Sequence, residues 1–453
     1  MKLIKNTLLA TLLLSVIIIL CFNLINYDVI KGYDGEAHAR YVDGFFAIYI
    51  PGVSDQTSEE ITREHYSPPL PYLIPAVINN ICKNNISSND KYRDCQPIYG
   101  NFIQVINSLL YLFTIYFYYL SFKKIFNEDF KHLLLIVILV FSVMSVNYKS
   151  ISMLRGEVYI TFFLSILIYE LVKIEEIQFH NLKKHYFRFG ILIGLLTLSR
   201  QWSIFLYPGL ILSIYLYGFK KDKLSEVTKF LSKTFTLAML ISGWFYLKLY
   251  LDYGTFTKFN INEMSFRFFN QPMNFYFPTL NQIVYLFTNP TRPNLDNQFL
   301  TIMYADFWGD YWGYFLYNTS SFNESSNLNT IGNYLGKVNL FSIFASSVFI
   351  TSIFFAKPLY NKLNSNRYTV TMNFIFFGIV FSILGYLYFL IKYPSFPSGD
   401  TIKATYLLQL FHLIGFNTIF IFNYLKNRKT IYYFLLFIFI STFIFNSYTY
   451  ITY

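Results

Sequence analysis

Charge is what this sequence has least of. Asp, Glu, Lys and Arg make up 13% of its 453 residues, about half the ~25% usual for soluble domains. The shortage is not local, because apolar runs recur from end to end. An ordinary soluble protein is excluded, since every run would need covering by other protein. Cysteine is also scarce, with three in the chain, which excludes a disulfide-built scaffold. Cys82 and Cys95 share one loop without histidines at ligand spacing, so they are a weak zinc signal. They can pair if that loop is extracytoplasmic. Also missing are a nucleotide-binding loop, an RNA-binding motif, an internal repeat and a long low-complexity linker.

What is present is membrane-length hydrophobicity. A hydrocarbon core of ~30 Å needs about 20 helical residues. Eleven candidate spans lie near 7–26, 101–122, 132–148, 156–173, 187–200, 203–219, 231–251, 337–356, 368–391, 403–425 and 430–449. The first follows Lys2 and Lys5 and precedes no small-x-small cleavage pattern, so a retained helix is expected rather than a signal peptide. The net charge of +11 fits the positive-inside rule better than a nucleic-acid partner. Basic clusters fall at 123–124, 181–188, 220–223, 357–367 and 426–429. With a cytoplasmic N-terminus every one of them is cytoplasmic, and the C-terminus is outside. The expected fold is therefore an all-α integral membrane protein of the plasma membrane with about 11 transmembrane helices. Its expected parts are an N-terminal module over 1–251 with a first outer loop at 27–100, a second outer loop at 252–336, and C-terminal helices over 337–453. "PPLPYLIPAVINNI" (68–81) is too short and proline-broken to span, and reads as an interfacial helix.

Rare polar residues gather on the outer side. "GYDGEAHARY" (32–41) places Asp34 and Glu36 just beyond the first span. In a turning segment the two can share a site. A carboxylate beside apolar protein at a membrane surface can act as a general base. The competing reading is an N-cap, with Asp34 starting a helix at Gly35 or Glu36. His65 stands ahead of a Pro-Pro step as a candidate acceptor- or sugar-binding residue, while Arg155, Arg200 and Lys403 stand at the outer mouths of three different spans. Each cation alone reads as a snorkelling anchor. Together they can clamp a phosphate or pyrophosphate, and a lipid-borne phosphate arrives at this depth. In the second outer loop, Asp306, Trp308, Asp310 and Trp312 alternate. That is either a sugar-binding composition, for donor sugar or acceptor, or an interfacial aromatic anchor.

A base and a phosphate clamp on the outer face are what a lipid-phosphate-dependent glycosyltransferase needs. Several stretches resemble the GT-C superfamily of integral-membrane glycosyltransferases, in its protein O-mannosyltransferase and lipid A aminoarabinose-transferase branch. "GYDGEAHARY" resembles that superfamily's acidic motif in the first outer loop, and "HYSPPLPYLIP" (65–75) its H-P-P-L-Y-Y stretch. "RGEVYITFFLSILIY" (155–169) resembles its Arg-led helix, and "GLLTLSRQWSIFLYPGLIL" (194–212) its G-L-A-x-L-T-[RK] helix pair. The resemblance covers residues 1 to about 250. It implies sugar transfer from a polyprenyl-phosphate-linked donor to a glycan, lipid or protein hydroxyl, with Asp34 as base. The acidic motif departs from an adjacent pair, being D-x-E, so the base is either carboxylate. Asp34 is favoured, with Glu36 holding a metal or positioning the acceptor, and a divalent cation is a candidate cofactor. Rival readings are a polymerase or ligase acting on lipid-linked oligosaccharide, and a flippase of lipid-linked sugars.

Overall fold

The computed structural model describes residues 2–50, 52–126, 130–179, 182–316, 325–363 and 367–452. Parts of the expected basic clusters (181 and 364–366) and of the second outer loop (317–324) lie outside the described residues. Among the described residues every regular element is helical.

The first apolar run is α1 (Lys2–Ile25). The loop after it folds into α2 (Gly35–Tyr49), α3 (Ser58–Ile61) and α4 (Leu70–Asn85). α3 is a single turn closed by a capping box between Thr57 and Glu60. α4 begins beside Pro69 and Pro71, because proline suits the first helical turn but not a helix interior. Leu73, Ile74, Val77 and Ile81 form its exposed stripe, while Tyr72, Ala76, Asn79 and Cys82 are buried. An outward apolar stripe suits a helix lying at a membrane surface. Cys82 is disulfide-bonded to Cys95, which tethers α4 to α5 (Lys91–Phe126).

The expected span at 132–148 is broken. α6 (Phe130–Ser142) and α7 (Ser145–Ile151) meet at a 75° bend. Polar side chains at the break bond a carbonyl that a continuous helix would have used and a carbonyl of the C-terminal segment. Asn147 donates to the Phe141 carbonyl at 2.7 Å, and Ser145 donates to the Thr449 carbonyl at 2.8 Å.

The chain continues through α8 (Glu157–Glu176), α9 (Lys183–Ser199), α10 (Tyr207–Lys220) and α11 (Leu224–Tyr253). The second long loop holds α12 (Met273–Tyr276), α13 (Leu280–Thr288) and α14 (Phe299–Trp308). The remainder is α15 (Ser325–Phe341), α16 (Ile343–Leu363), α17 (Thr369–Lys392), α18 (Leu408–Leu425) and α19 (Lys429–Phe445).

Among the described residues seven helices are long and apolar enough to cross a membrane, eight if the bent pair is one span. The expected spans at 187–200 and 430–449 correspond to shorter apolar helices. The span at 156–173 corresponds to α8, whose sequence carries Glu157, Glu170, Lys173, Glu175 and Glu176. The span at 337–356 is shifted, its apolar helix being Ile343–Tyr360. Several apolar helices of this kind are consistent with a multi-pass membrane protein.

Two opposite ends of the bundle are recognisable. At one, Lys124 pairs with Glu176 at 2.6 Å, Glu175 accepts the Val370 and Thr371 N–H groups at the start of α17, and Lys223 reaches the Gln178 carbonyl at 3.2 Å. At the other, Asn23 near the end of α1 holds Tyr450 and Thr452, at 2.8 and 2.9 Å. The candidate site lies at this second end, where the loop after α1 folds back over the helix mouths.

Candidate active site

The turn Gly32–Gly35 presents Asp34. Asp34 has φ 56°, in the left-handed region, which costs about 1–2 kcal/mol for an L-residue and is best tolerated by Asn and Asp. Gly35 is required beside it, because a Cβ there would lie 2.0 Å from the Ile30 carbonyl oxygen. Asp34 occupies the N-cap position of α2, yet its carboxylate makes no capping bond. Its Oδ1 accepts from Arg63 Nη2 at 2.5 Å, and its Oδ2 faces Lys403 Nζ at 3.4 Å. The capping alternative is therefore answered by geometry: the side chain is turned away from the helix toward two cations.

A second close approach builds the floor. A Cβ on Gly156 would lie 1.9 Å from the Ser199 carbonyl oxygen, so the start of α8 meets the end of α9 with no side chain between them. That puts Arg155 beside Arg200. Two like charges out of water need a shared counter-ion, and Glu157 supplies it. Its Oε1 is 3.3 Å from Arg155 Nη2 and 3.3 Å from Arg200 Nε. Arg200 also donates to Ser67 Oγ at 2.5 Å and lies 3.9 Å from Glu64. Tyr406 sits between layers, with the Arg155 guanidinium 5.0 Å from its ring centre and Lys403 Nζ at 5.5 Å. Lys403 Nζ also stands 4.7 Å from the Tyr33 ring centre.

These groups surround a cleft of about 240 Å³. Asp34, Arg63, Arg200 and Lys403 are on its wall, with the rings of Tyr66, Trp202 and Tyr406. Arg155 is not on the wall; it is buried beneath Tyr406. Trp202 Nε1 and Gln201 Oε1 belong to lining residues and are buried without a hydrogen-bond partner in the protein. A buried donor and acceptor left open beside a cleft are suited to a ligand.

The charges set the protonation states. Burial pushes the Asp34 carboxyl up, but Lys403, Arg155 and Arg63 together outweigh it and hold it below its ordinary value. Burial pushes Lys403 down, and Tyr406 and Asp34 outweigh that, so it stays a cation. His38 is held well below its ordinary value by burial and by the surrounding Arg and Lys charges. Its Nδ1 is 2.8 Å from the Tyr72 hydroxyl, and the 3.8 Å approach of Nε2 to Glu64 joins a neutral imidazole to a carboxylate rather than an ion pair.

The other residues singled out from the sequence lie elsewhere. Glu36 points away from the cleft and is engaged by Arg40 Nε at 3.1 Å and the Tyr92 hydroxyl at 3.0 Å. The i, i+2 spacing explains this, because Glu36 is already in the first turn of α2 while Asp34 precedes it. His65 bonds the Thr62 carbonyl at 3.0 Å and lines a neighbouring cleft. The Asp306–Trp312 group is internal rather than sugar-facing. Asp306 is fully buried; Oδ1 accepts from Lys149 and the Tyr33 hydroxyl at 2.8 Å each, and Oδ2 accepts from Ala404 N–H at 2.7 Å. Asp310 is buried and accepts the Phe315 and Leu316 N–H groups at 2.8 Å each. Trp308 donates to Ser346 at 2.9 Å, and Trp312 donates to the Ile402 carbonyl at 3.0 Å. Both indoles are about 1% exposed, which leaves no face free for a sugar.

Arg63, two residues before His65, is not singled out by the sequence. A solitary arginine in a polar loop carries no local signal; only the fold brings it to Asp34. Glu157 was equally silent, although its position two residues after Arg155 is part of the same motif. Among the described residues no three His, Cys, Asp or Glu side chains are grouped to hold a metal. The Asp34 oxygens are faced by cations, and the other carboxylate lining the cleft, Asp400, is paired with Arg292 at 3.4 Å, so this donor set suits an arriving anion and does not fit a divalent cation.

Fold and site together define a many-helix chain with a cation-walled cleft at one end of an apolar bundle. No protein-family model matches the sequence. No curated protein matches it either. Among solved structures it is similar to the Archaeoglobus fulgidus oligosaccharyltransferase. The apo form matches at 13% identity over 98% of this chain and 56% of that chain, with a TM-score of 0.49. The complex with Zn and sulfate matches at 12% identity over 97% and 53%, with a TM-score of 0.47. The chain thus spans about half the length of the structures it matches. Similarity at this level does not carry a shared activity.

Proposed function

We propose that this chain is a membrane glycosyltransferase. It transfers a sugar from a polyprenyl-phosphate-linked donor to an acceptor hydroxyl on the extracytoplasmic face. The observation that carries the reading is the meeting of the ionised Asp34 carboxylate with Arg63, Arg200 and Lys403 in a single cleft, whose other carboxylate, Asp400, is paired with Arg292. They come from the first outer loop, the end of α9 and the segment before α18. Such a cleft suits a phosphate-bearing ligand beside a base.

In the proposed reaction the acceptor oxygen attacks the anomeric carbon as its proton passes to Asp34. The carbon–oxygen bond to phosphate breaks, and its electron pair stays on the phosphate oxygen. Lys403 and Arg200 stabilise the growing negative charge on that oxygen, with Arg155 adding to the field from beneath Tyr406. Bound phosphate also offsets the cations that hold Asp34 low, so donor binding raises the proton affinity of the base when it is needed. Glu36 has no step in this scheme.

Two features support the extracytoplasmic assignment. The disulfide between Cys82 and Cys95 lies at the site end, and disulfides persist in oxidising compartments. Lys124 and Lys223, from two of the basic clusters, belong to the opposite end, as the positive-inside rule requires.

The test is transfer by the purified, lipid-reconstituted chain, using a panel of decaprenyl-phosphate hexoses and pentoses. Asp34→Asn keeps the left-handed turn and cannot take a proton. Its transfer rate should fall by at least about two decades, the scale of a general base, with donor binding retained. Full transfer by Asp34→Asn would remove the reading.

A further inference from the structure

A second cleft, of about 530 Å³, lies beside the first. The two share Arg63 and the strap Phe259–Asn260–Ile261 as common wall. The strap is pinned by its aromatic residue. The Phe259 ring stacks on Trp202 at 5.5 Å between centroids, and stands 5.6 Å from Tyr66, 4.8 Å from Phe389 and 4.9 Å from Tyr393. A side chain held on four sides keeps the partition in place. The exposed part of the wall is Arg63, whose side chain is 57% exposed and whose guanidinium reaches Asp34.

The second cleft differs in chemistry from the first. Its acidic groups are already balanced: Glu59 pairs with Lys258, and Glu263 pairs with Lys392. The Tyr393 hydroxyl donates to Glu263 at 3.1 Å. Lys258 Nζ lies 3.7 Å from the Tyr253 ring centre, and His65 packs 5.1 Å from the same ring. Burial holds His65 below its ordinary value against the pull of its neighbours, so it adds no charge near neutral pH. Carboxylates, amides and hydroxyls between Tyr and Phe rings, without surplus charge, suit a neutral polyhydroxylated ligand. Paired carboxylate oxygens can accept from vicinal hydroxyls, while the rings present flat apolar faces.

We infer that this second cleft is the acceptor site, that the acceptor is a glycan, and that its hydroxyl reaches Asp34 past Arg63. The inference rests on the glycosyltransferase reading of the first cleft and adds the substrate class. It also gives Arg63 a role: its bond to Asp34 closes the passage, and a polar acceptor that takes over the guanidinium opens it. A peptide acceptor is the opposing case, and the experiment separates the two.

The experiment uses the whole chain in lipid nanodiscs with the decaprenyl-phosphate sugar that the wild type consumes. Acceptor probes are a mixture of neutral oligosaccharides and, separately, a Ser/Thr-containing peptide library. Glu263→Gln and Tyr253→Ala should each raise the KM for oligosaccharide at least tenfold, with the donor KM within twofold. Both positions are at the cleft rim, and retained donor binding reports that the variants are folded. A bulky impermeant maleimide on Asn262→Cys, in a Cys21→Ser background, should block transfer and leave donor binding intact. Transfer to peptides with none to oligosaccharides would overturn the glycan assignment. Unchanged acceptor KM in both variants together with full activity of the plugged protein would overturn the site. Failure of the wild type to bind or consume any decaprenyl-phosphate sugar would instead overturn the glycosyltransferase reading itself.

Discussion

Asp34 is raised by burial and lowered more strongly by Lys403, Arg155 and Arg63. Its net position, below the ordinary carboxylate value, makes it ionised throughout the neutral range. For the proposed base, the acid limb of kcat/KM reports its titration in the free enzyme. The wild type should therefore lose little activity between about pH 7 and pH 5, since a carboxyl at even its unperturbed ~3.9 is ionised there. Lys403→Gln removes the largest of the charges that lower Asp34 and leaves burial in place. The sign is then fixed: the Asp34 pKa rises, and the acid limb moves to higher pH. Losing one charge-assisted contact to the donor should cost about 1.5–3 kcal/mol, or roughly one to two decades of activity at neutral pH. A pH–rate profile of the variant that superimposes on the wild type would show that Lys403 does not face the base during turnover.

Between elements, one buried carboxylate sets the spacing of the cleft. Asp306 on α14 holds the Tyr33 hydroxyl and the Ala404 N–H. Tyr33 precedes Asp34, and Ala404 follows Lys403, so a single side chain fixes both groups that face each other across the cleft. Lys149 on the short α7 neutralises it and also donates to the Gly309 carbonyl at 2.8 Å. The 75° bend is thus part of the site, because it brings Lys149 under the second loop. Asp306→Asn cannot satisfy all these donors and leaves Lys149 without its counter-ion. Breaking a buried pair in this way costs about 3–5 kcal/mol, so a lower melting temperature is expected. A fall in stability alone does not test positioning. The added expectation is an upward shift of the Asp34 acid limb in the folded variant, as Lys403 relaxes away. An unshifted limb would reduce Asp306 to a structural ion pair.

For the whole molecule, the decisive question is which end faces out. The site end carries the disulfide and the two clefts, and the other end carries the basic turns. Gln56 and Lys221 are both exposed, and they belong to the two ends. Single cysteines there, in a Cys21→Ser background, can be treated with an impermeant thiol reagent in intact cells. Gln56→Cys should label and Lys221→Cys should not. The reverse pattern would place the cleft on the cytoplasmic side and remove the lipid-linked donor argument.

Composition and local chemistry account for the helices, the turn before α2 and the start of α4. Long apolar runs dictate helices, because a backbone among lipids must satisfy its own hydrogen bonds. Gly32, Asp34 and Gly35 dictate a turn, and Pro69 and Pro71 dictate where α4 starts. The scarcity of charge made Asp34, Arg155, Arg200 and Lys403 stand out as single residues at helix mouths. Only the tertiary structure decided which of them share a cleft. Glu36 lies two residues further on, inside α2, which turns it toward Arg40. Arg155 falls one layer too deep, behind Tyr406. Arg63 and Glu157 enter the site from positions with no local signal. Asp306, Trp308, Asp310 and Trp312 have a composition that fits sugars, yet packing turns all four inward, where their polar atoms bond to protein. Periodicity and composition register what a segment buries or exposes, but the direction of one side chain depends on contacts made hundreds of residues away. Asp34 and Lys403 are such a pair, 369 residues apart in sequence and 3.4 Å apart in the folded chain.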